Sequence, residues 1–260
     1  MFPNPELHRH RRAFTLVELL VAVAIVALLA VGALAGYRAV MNAAYKGRSI
    51  ENIRQLAMAN IAYAADRGTF CPAQDRRNRK RWHGGRSGSS GAFDASKGFL
   101  SPYLGDAQSL TACPAFKTFL RQGASFEDNS GGYGYNAAYV GGTPGNAYQP
   151  AAIEAITNPT HTVMFTTTAL AKADGLQEYP FCEPFYATSG GTALQPSVHF
   201  RFSGRALVAW CSGRVTEEPP SRFSETNFYG GNNAEAKIGW FGPEQDNGFW
   251  NPDSPAASGH

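Results

Sequence analysis

Residues 14–37 read FTLVELLVAVAIVALLAVGALAGY, 24 residues with a single charge at Glu18. As a helix this stretch spans roughly 36 Å, enough to cross a hydrocarbon core of ~30 Å with some tilt. The flank before it, His8-Arg9-His10-Arg11-Arg12, is short and basic. Basic flanks tend to stay in the cytoplasm, so the expectation is an inner-membrane, single-pass segment with a cytoplasmic amino terminus and an exported remainder. A cleavable secretory signal shares the basic start and apolar run, and Ala33-Leu34-Ala35 supplies a small-x-small site. The length of the run and its early carboxylate argue against that alternative.

Working outward, the apolar run continues into a second helical pattern without a turn signal. Ile50, Ile53, Ala57, Ile61 and Ala64 recur at spacings of three and four, with Glu51, Arg54, Gln55 and Asn60 between them. That is the stripe of an amphipathic helix. It should end near Asp66-Arg67-Gly68, where glycine can take the left-handed cap. The whole predicts one helix of about 50 residues, roughly 80 Å long, half apolar and half amphipathic. Gly32, Gly36 and Gly47 are candidate kinks. A removable signal has no need of such an extension.

Glu18 has two readings. Thr15-Leu16-Val17-Glu18 fits the S/T-x-x-E capping box of a helix start. Alternatively, a carboxylate in lipid, costing about 2.5–3.5 kcal/mol at mid-bilayer and less near the edge, awaits a positive partner from another molecule.

Arg-Arg-Ala-Phe-Thr-Leu-Val-Glu, residues 11–18, resembles the processing site shared by type IV pilins and type II secretion pseudopilins. The resemblance implies cleavage between Ala13 and Phe14 by prepilin peptidase and methylation of Phe14. It makes Glu18 the fifth mature residue, paired with a neighbouring subunit's terminal amine during assembly. The family usually has Gly before the cut; Ala13 is the next smallest side chain, so cleavage is expected to survive, at a slower rate. Tyr63, Asp66, Gly68, Phe70 and Pro72 loosely match the Y-x-x-D-x-G-x-(Y/F)-P stretch after the pseudopilin helix, with Cys71 inserted.

Composition bounds the rest. There are 28 Gly and 16 Pro in 260 residues, which predicts turns and short strands rather than a helical bundle. The net charge is +3, and without residues 1–13 the balance is 20 basic against 19 acidic. So nearly neutral a body does not point to nucleic acid as a partner. Cys71, Cys113, Cys182 and Cys211 form no C-x-x-C pair. In an exported domain they allow two disulfides in three connectivities; otherwise they are buried thiols.

Residues 73–98 lose periodicity. The run containing Arg76, Arg77, Arg79, Lys80, Arg81 and Trp82 is basic and then Gly/Ser-rich. It reads as an exposed, solvated loop, with a contact to nucleic acid or an acidic surface as the alternative. Strand candidates follow at 131–142, 162–168, 198–202 and 205–211, the last two joined as a hairpin at Ser203-Gly204. Residues 198–216, WFGP at 240–243 and NGFWNP at 247–252 also resemble pilin-like proteins that carry DGHV where this chain has Ser212-Gly213-Arg214-Val215. Losing that Asp and His makes metal binding at the turn doubtful.

Catalytic signals are lacking. The six histidines show no H-x-x-x-H spacing, and there is no G-x-S-x-G elbow or P-loop. His199 reads as a hydrogen-bonded wall residue of a strand. Glu244, Asp246, Asn247 and Asp253 are oxygen donors of the kind calcium prefers, and some secretion pseudopilins hold calcium in a carboxyl-terminal loop. The spacing is not an EF-hand, and a plain Asx-rich turn is the better reading of them.

The expected architecture is α+β. A leader (1–13) precedes the membrane half of the helix (14–37), its amphipathic half (38–66) and a β-rich exported domain (67–260), with the helix packed on an antiparallel sheet with long loops. The expected function is non-enzymatic: a filament subunit processed by prepilin peptidase, with like subunits as partners and no cofactor beyond possible calcium. The alternative is a membrane-tethered or secreted binding domain for polysaccharide or DNA.

Overall fold

The computed structural model describes residues 15–88, 91–105, 112–119, 129–186, 188–189, 192–193, 195–224 and 227–255. One helix, α1 (Leu16–Arg67, 52 residues), runs through Gly32, Gly36 and Gly47 without interruption. Gly68 ends it with φ +76° and returns its N–H to the Ala64 carbonyl at 2.8 Å. This is the left-handed cap that glycine adopts without a Cβ penalty. The chain divides into two compact units, Met1–Ala44 and Tyr45–His260.

In the first unit, the apolar side chains from Leu16 to Leu34 are all exposed. In the second, the helix buries the predicted stripe. Ile53, Ala57 and Ala64 are fully covered and Ile50 and Ile61 half-covered, while Glu51 and Arg54 stay in solvent. The stripe is wider than the pattern indicated, because Leu56, Ala59 and Asn60 are buried too.

The strands are short: β1 (Lys80–Arg81), β2 (Gly84–Gly85), β3 (Tyr133–Tyr135), β4 (Val163–Thr167), β5 (Leu170–Lys172), β6 (Gly175–Gln177), β7 (Thr188–Ser189) and β8 (Thr192–Ala193). They continue with β9 (Val198–His199), β10 (Ala206–Trp210), β11 (Val215–Glu218), β12 (Arg222–Phe223) and β13 (Ile238–Trp240). Among the described residues all strand pairings are antiparallel, and Tyr135 and Phe181 form an isolated parallel bridge. The main sheet has the order β11-β10-β4-β3, and a three-stranded sheet has the order β12-β13-β9.

Every residue of β10 is buried, and alternation explains how. Leu207 and Ala209 join the core that includes Ile53, Leu56, Tyr133 and Phe165. Ala206, Val208 and Trp210 join a second core with Trp240, Phe241 and Trp250. Successive side chains point to opposite faces, so the helix layer covers one face and the aromatic carboxyl-terminal stretch the other.

Two expectations need correction. Ser203 (φ +53°) and Gly204 (φ +79°) do turn the chain, with Phe202 and Arg205 exchanging hydrogen bonds at 3.0 Å. Beyond that bridge the strands part: β9 pairs with β13, and β10 with β4 and β11. Nor is the basic run simply a solvated loop. Arg76, Arg77, Arg79 and Lys80 are exposed, but Trp82 is fully buried on Phe165 (5.2 Å) and Tyr135 (6.5 Å) and donates to the Pro180 carbonyl at 2.8 Å. Arg81, also buried, lies over Phe93 and Phe181.

Candidate functional site

The head of α1 is closed by the capping box. Thr15 donates its backbone N–H (2.9 Å) and hydroxyl (2.8 Å) to Glu18 Oε2, and the Glu18 N–H returns to Thr15 Oγ1 at 3.2 Å. These bonds satisfy N–H groups that a helix start leaves unpaired. Ala13 and Phe14 lie outside the described residues. Glu18 heads a helix whose most apolar 18-residue window has a mean hydropathy of 2.8 and no buried residue. Length and composition suffice to cross a bilayer.

At the other end, the post-helix residues form a clasp. Tyr63 and Tyr103 rings meet at 5.5 Å, Tyr103 donates to Asp66 Oδ2 at 3.0 Å, and Arg67 lies over Tyr63. Phe70 is buried, and the Cys71 N–H donates to the Asn60 side-chain oxygen at 2.9 Å. Thus Asn60, read from its polarity as an outward residue, faces inward because it ties the chain after the cap back onto the helix.

Residues 8–34 match the family model described as the prokaryotic N-terminal methylation motif. The chain carries a prepilin-type methylation segment. That assignment is consistent with the type IV pilin-like family, and the matched residues contain the capping box and most of the apolar run. No curated protein and no solved structure matches the chain.

Beyond the methylation segment, the other candidate residues fall into separate places. Cys71, Cys113, Cys182 and Cys211 are free and buried, so the structure holds thiols and not the two disulfides. Burial pushes Cys71, Cys182 and Cys211 well above the usual thiol range, which keeps them protonated and unreactive. Cys113 Sγ stands 3.2 Å from Ser49 Oγ on the helix.

Of the four calcium candidates, Glu244 and Asn247 have side-chain partners within the protein, while Asp246 accepts from Asn251 through its backbone carbonyl. Among the described residues no three His, Cys, Asp or Glu side chains gather as a metal-holding group. Glu244 Oε1 accepts from Tyr186 (2.5 Å) and Arg222 (2.6 Å). Asn247 Oδ1 accepts the Tyr186 N–H at 2.6 Å, and its Nδ2 donates to the Tyr139 hydroxyl and the Tyr186 carbonyl. Asp253 takes an Asx-type contact, its N–H donating to Asn251 Oδ1 at 3.1 Å. The stretch is therefore a hydrogen-bonded turn in which one Glu244 oxygen, Oε1, and the Asn247 side-chain oxygen already have donors.

At the turn between β10 and β11, Arg214 lies over Trp210 and donates to the Thr160 carbonyl at 3.0 Å. A cation therefore holds this turn. His199 is buried against the edges of Phe116 and Phe119, with Nδ1 unpartnered, and burial beside Arg201 and Lys237 holds it well below the usual imidazole range. It is a neutral packing residue more than a hydrogen-bonded one.

Sequence reasoning missed His83 and Glu183. His83 is buried between Trp82 and Phe93 with neither ring nitrogen bonded, and burial lowers it to about 3. Glu183 is buried and accepts from the Tyr179 hydroxyl at 2.6 Å; burial raises it to about 7. Neither residue stands in a motif, and only the fold reveals them.

Proposed function

We propose that the chain is a structural subunit, a pilin or pseudopilin, of a type IV pilus-like or type II secretion filament. The observation that carries this reading is an exposed apolar helix opening on Thr15 and Glu18 inside a matched methylation segment. On this reading prepilin peptidase removes residues 1–13, cutting between Ala13 and Phe14, and Phe14 becomes the methylated terminus. Residues 14–37 hold the subunit in the inner membrane, 38–66 continue as the amphipathic half, and 67–260 form the exported domain.

Assembly then exchanges lipid contacts for helix–helix contacts. That exchange is nearly neutral for apolar surface, because lipid tails are as apolar as leucine side chains. Charge sets the register instead. A terminal amine and the Glu18 carboxylate are each costly in an apolar environment and neutralise one another only when stacked subunits align. The role is mechanical and not enzymatic. Within the class, the clasp of Tyr63, Asp66, Gly68 and Phe70 favours a secretion pseudopilin.

Mass spectrometry of the amino terminus of protein from the cell envelope tests the reading. A peptide beginning with methyl-Phe14 is expected. A start near Gly36, as after ordinary signal removal, or a retained leader would overturn it.

A further inference from the structure

Tyr186 is 62% exposed, yet it is fixed at both ends. Its N–H and carbonyl are both held by the side chain of Asn247, and its hydroxyl is held by Glu244. Asn247 is buried, with φ +63°, and Gly248 follows at φ +46°. A Cβ on Gly248 would lie 1.9 Å from the Pro243 carbonyl oxygen, so only glycine allows this turn to close. An exposed ring ordinarily loses rotamer freedom when it binds something. Here that loss has occurred on folding, so a ligand that stacks on the ring is spared it.

Arg222 shares the same carboxylate oxygen, Glu244 Oε1, and lies over Trp240 at 5.0 Å. The side chains of Arg222 and Glu244 are 49% and 38% exposed. Among the described residues, Glu244 Oε2 and Arg222 Nε and Nη2 make no hydrogen bond. Beside a fixed aromatic face there is therefore one free carboxylate oxygen and one free guanidinium edge. Adjacent hydroxyls can donate to the first and accept from the second, by charge-assisted bonds. The two charges cancel, which favours a neutral polyol over an anionic polymer.

We propose that Tyr186, Arg222 and Glu244 form a binding site for a neutral polysaccharide, with a sugar ring lying on Tyr186 and its vicinal hydroxyls on the Arg222–Glu244 pair. The site does not depend on filament assembly, so its failure and that of the filament reading are separable.

The test is affinity electrophoresis of the full-length protein in detergent, through gels containing dextran, hydroxyethyl cellulose, a β-1,3-glucan or a galactomannan. At least one polymer should retard the wild type. Tyr186→Ala should weaken the apparent affinity about tenfold, the scale of one lost stacking contact. Glu244→Gln, whose fold should survive because an amide oxygen still accepts from Tyr186, should also weaken it. Lys97→Ser, remote in sequence, should leave it unchanged. Retardation by none of the polymers overturns the proposal, as does equal retardation of wild type, Tyr186→Ala and Glu244→Gln. A Tyr186→Ala effect on self-association alone overturns it too, assigning the ring to a protein contact.

Discussion

Thr15 and Glu18 hold one another at the head of α1, through bonds of 2.9, 2.8 and 3.2 Å. The carboxylate is therefore not bare in the single chain, because its own helix start supplies two donors. Capping and intermolecular charge pairing, posed by the sequence as alternatives, are compatible on the proposed filament reading: the first would hold Glu18 until the second is offered. They differ in what they require, since an amide can cap but cannot neutralise an amine.

Trp82 should be a principal anchor of the domain. It is fully buried, packs on Phe165 and Tyr135, and bonds Pro180. Trp82→Ala should cost about 3–5 kcal/mol, the range for large-to-small changes in a core. Denaturant unfolding of the full chain in detergent measures this; an unchanged midpoint would mean that the residue belongs to a solvated loop.

Stability should fall in acid. Unfolded histidines take up protons below about 6.5, whereas folded His83 resists to about 3 and His199 is likewise held down by burial. Each can therefore cost up to about tenfold in the folding equilibrium per pH unit as pH drops through that window. Glu183 acts with opposite sign. Folded, it keeps its proton up to about 7, so its stabilisation is lost as pH rises from the ordinary glutamate value of 4.5 through 7. One histidine is thus offset between 4.5 and 6.5, and the steepest loss lies below 4.5. His83→Phe should flatten that limb in unfolding curves collected from pH 3.5 to 6. Glu183→Gln should steepen the rise in stability between 4.5 and 6.5.

The thiols should be silent until the protein unfolds. All four cysteines are free and buried. Alkylation of purified protein without reductant should add no label in buffer and four labels in denaturant, counted by intact mass. Two or fewer labels in denaturant would indicate disulfides.

How much could be read from the sequence depended on whether the decisive contacts were local. The stripe from Ile50 to Ala64 and the cap at Gly68 repeat or terminate within a few residues, and both stand where the pattern put them. The Ser203-Gly204 turn is equally local, but the strands leaving it choose partners far along the chain, so the hairpin dissolved after one bridge. Trp82 sits in a run whose composition signals solvent, and its bond to Pro180 spans 98 positions. Asn247 offers a calcium-like oxygen in sequence, but that oxygen is occupied by Tyr186, 61 positions away.

The measurement that bears most directly on the filament account is the polymer yield of Glu18→Gln beside Glu18→Ala, scored by electron microscopy of sheared filaments at equal expression. Glutamine keeps the cap and removes the charge; alanine removes both. Neutralisation by a neighbouring amine predicts that both variants lose filaments, by about tenfold or more for ~1.4 kcal/mol lost per contact. Full assembly of the Gln variant, with loss confined to Ala, would leave Glu18 as a helix cap alone and contradict the account.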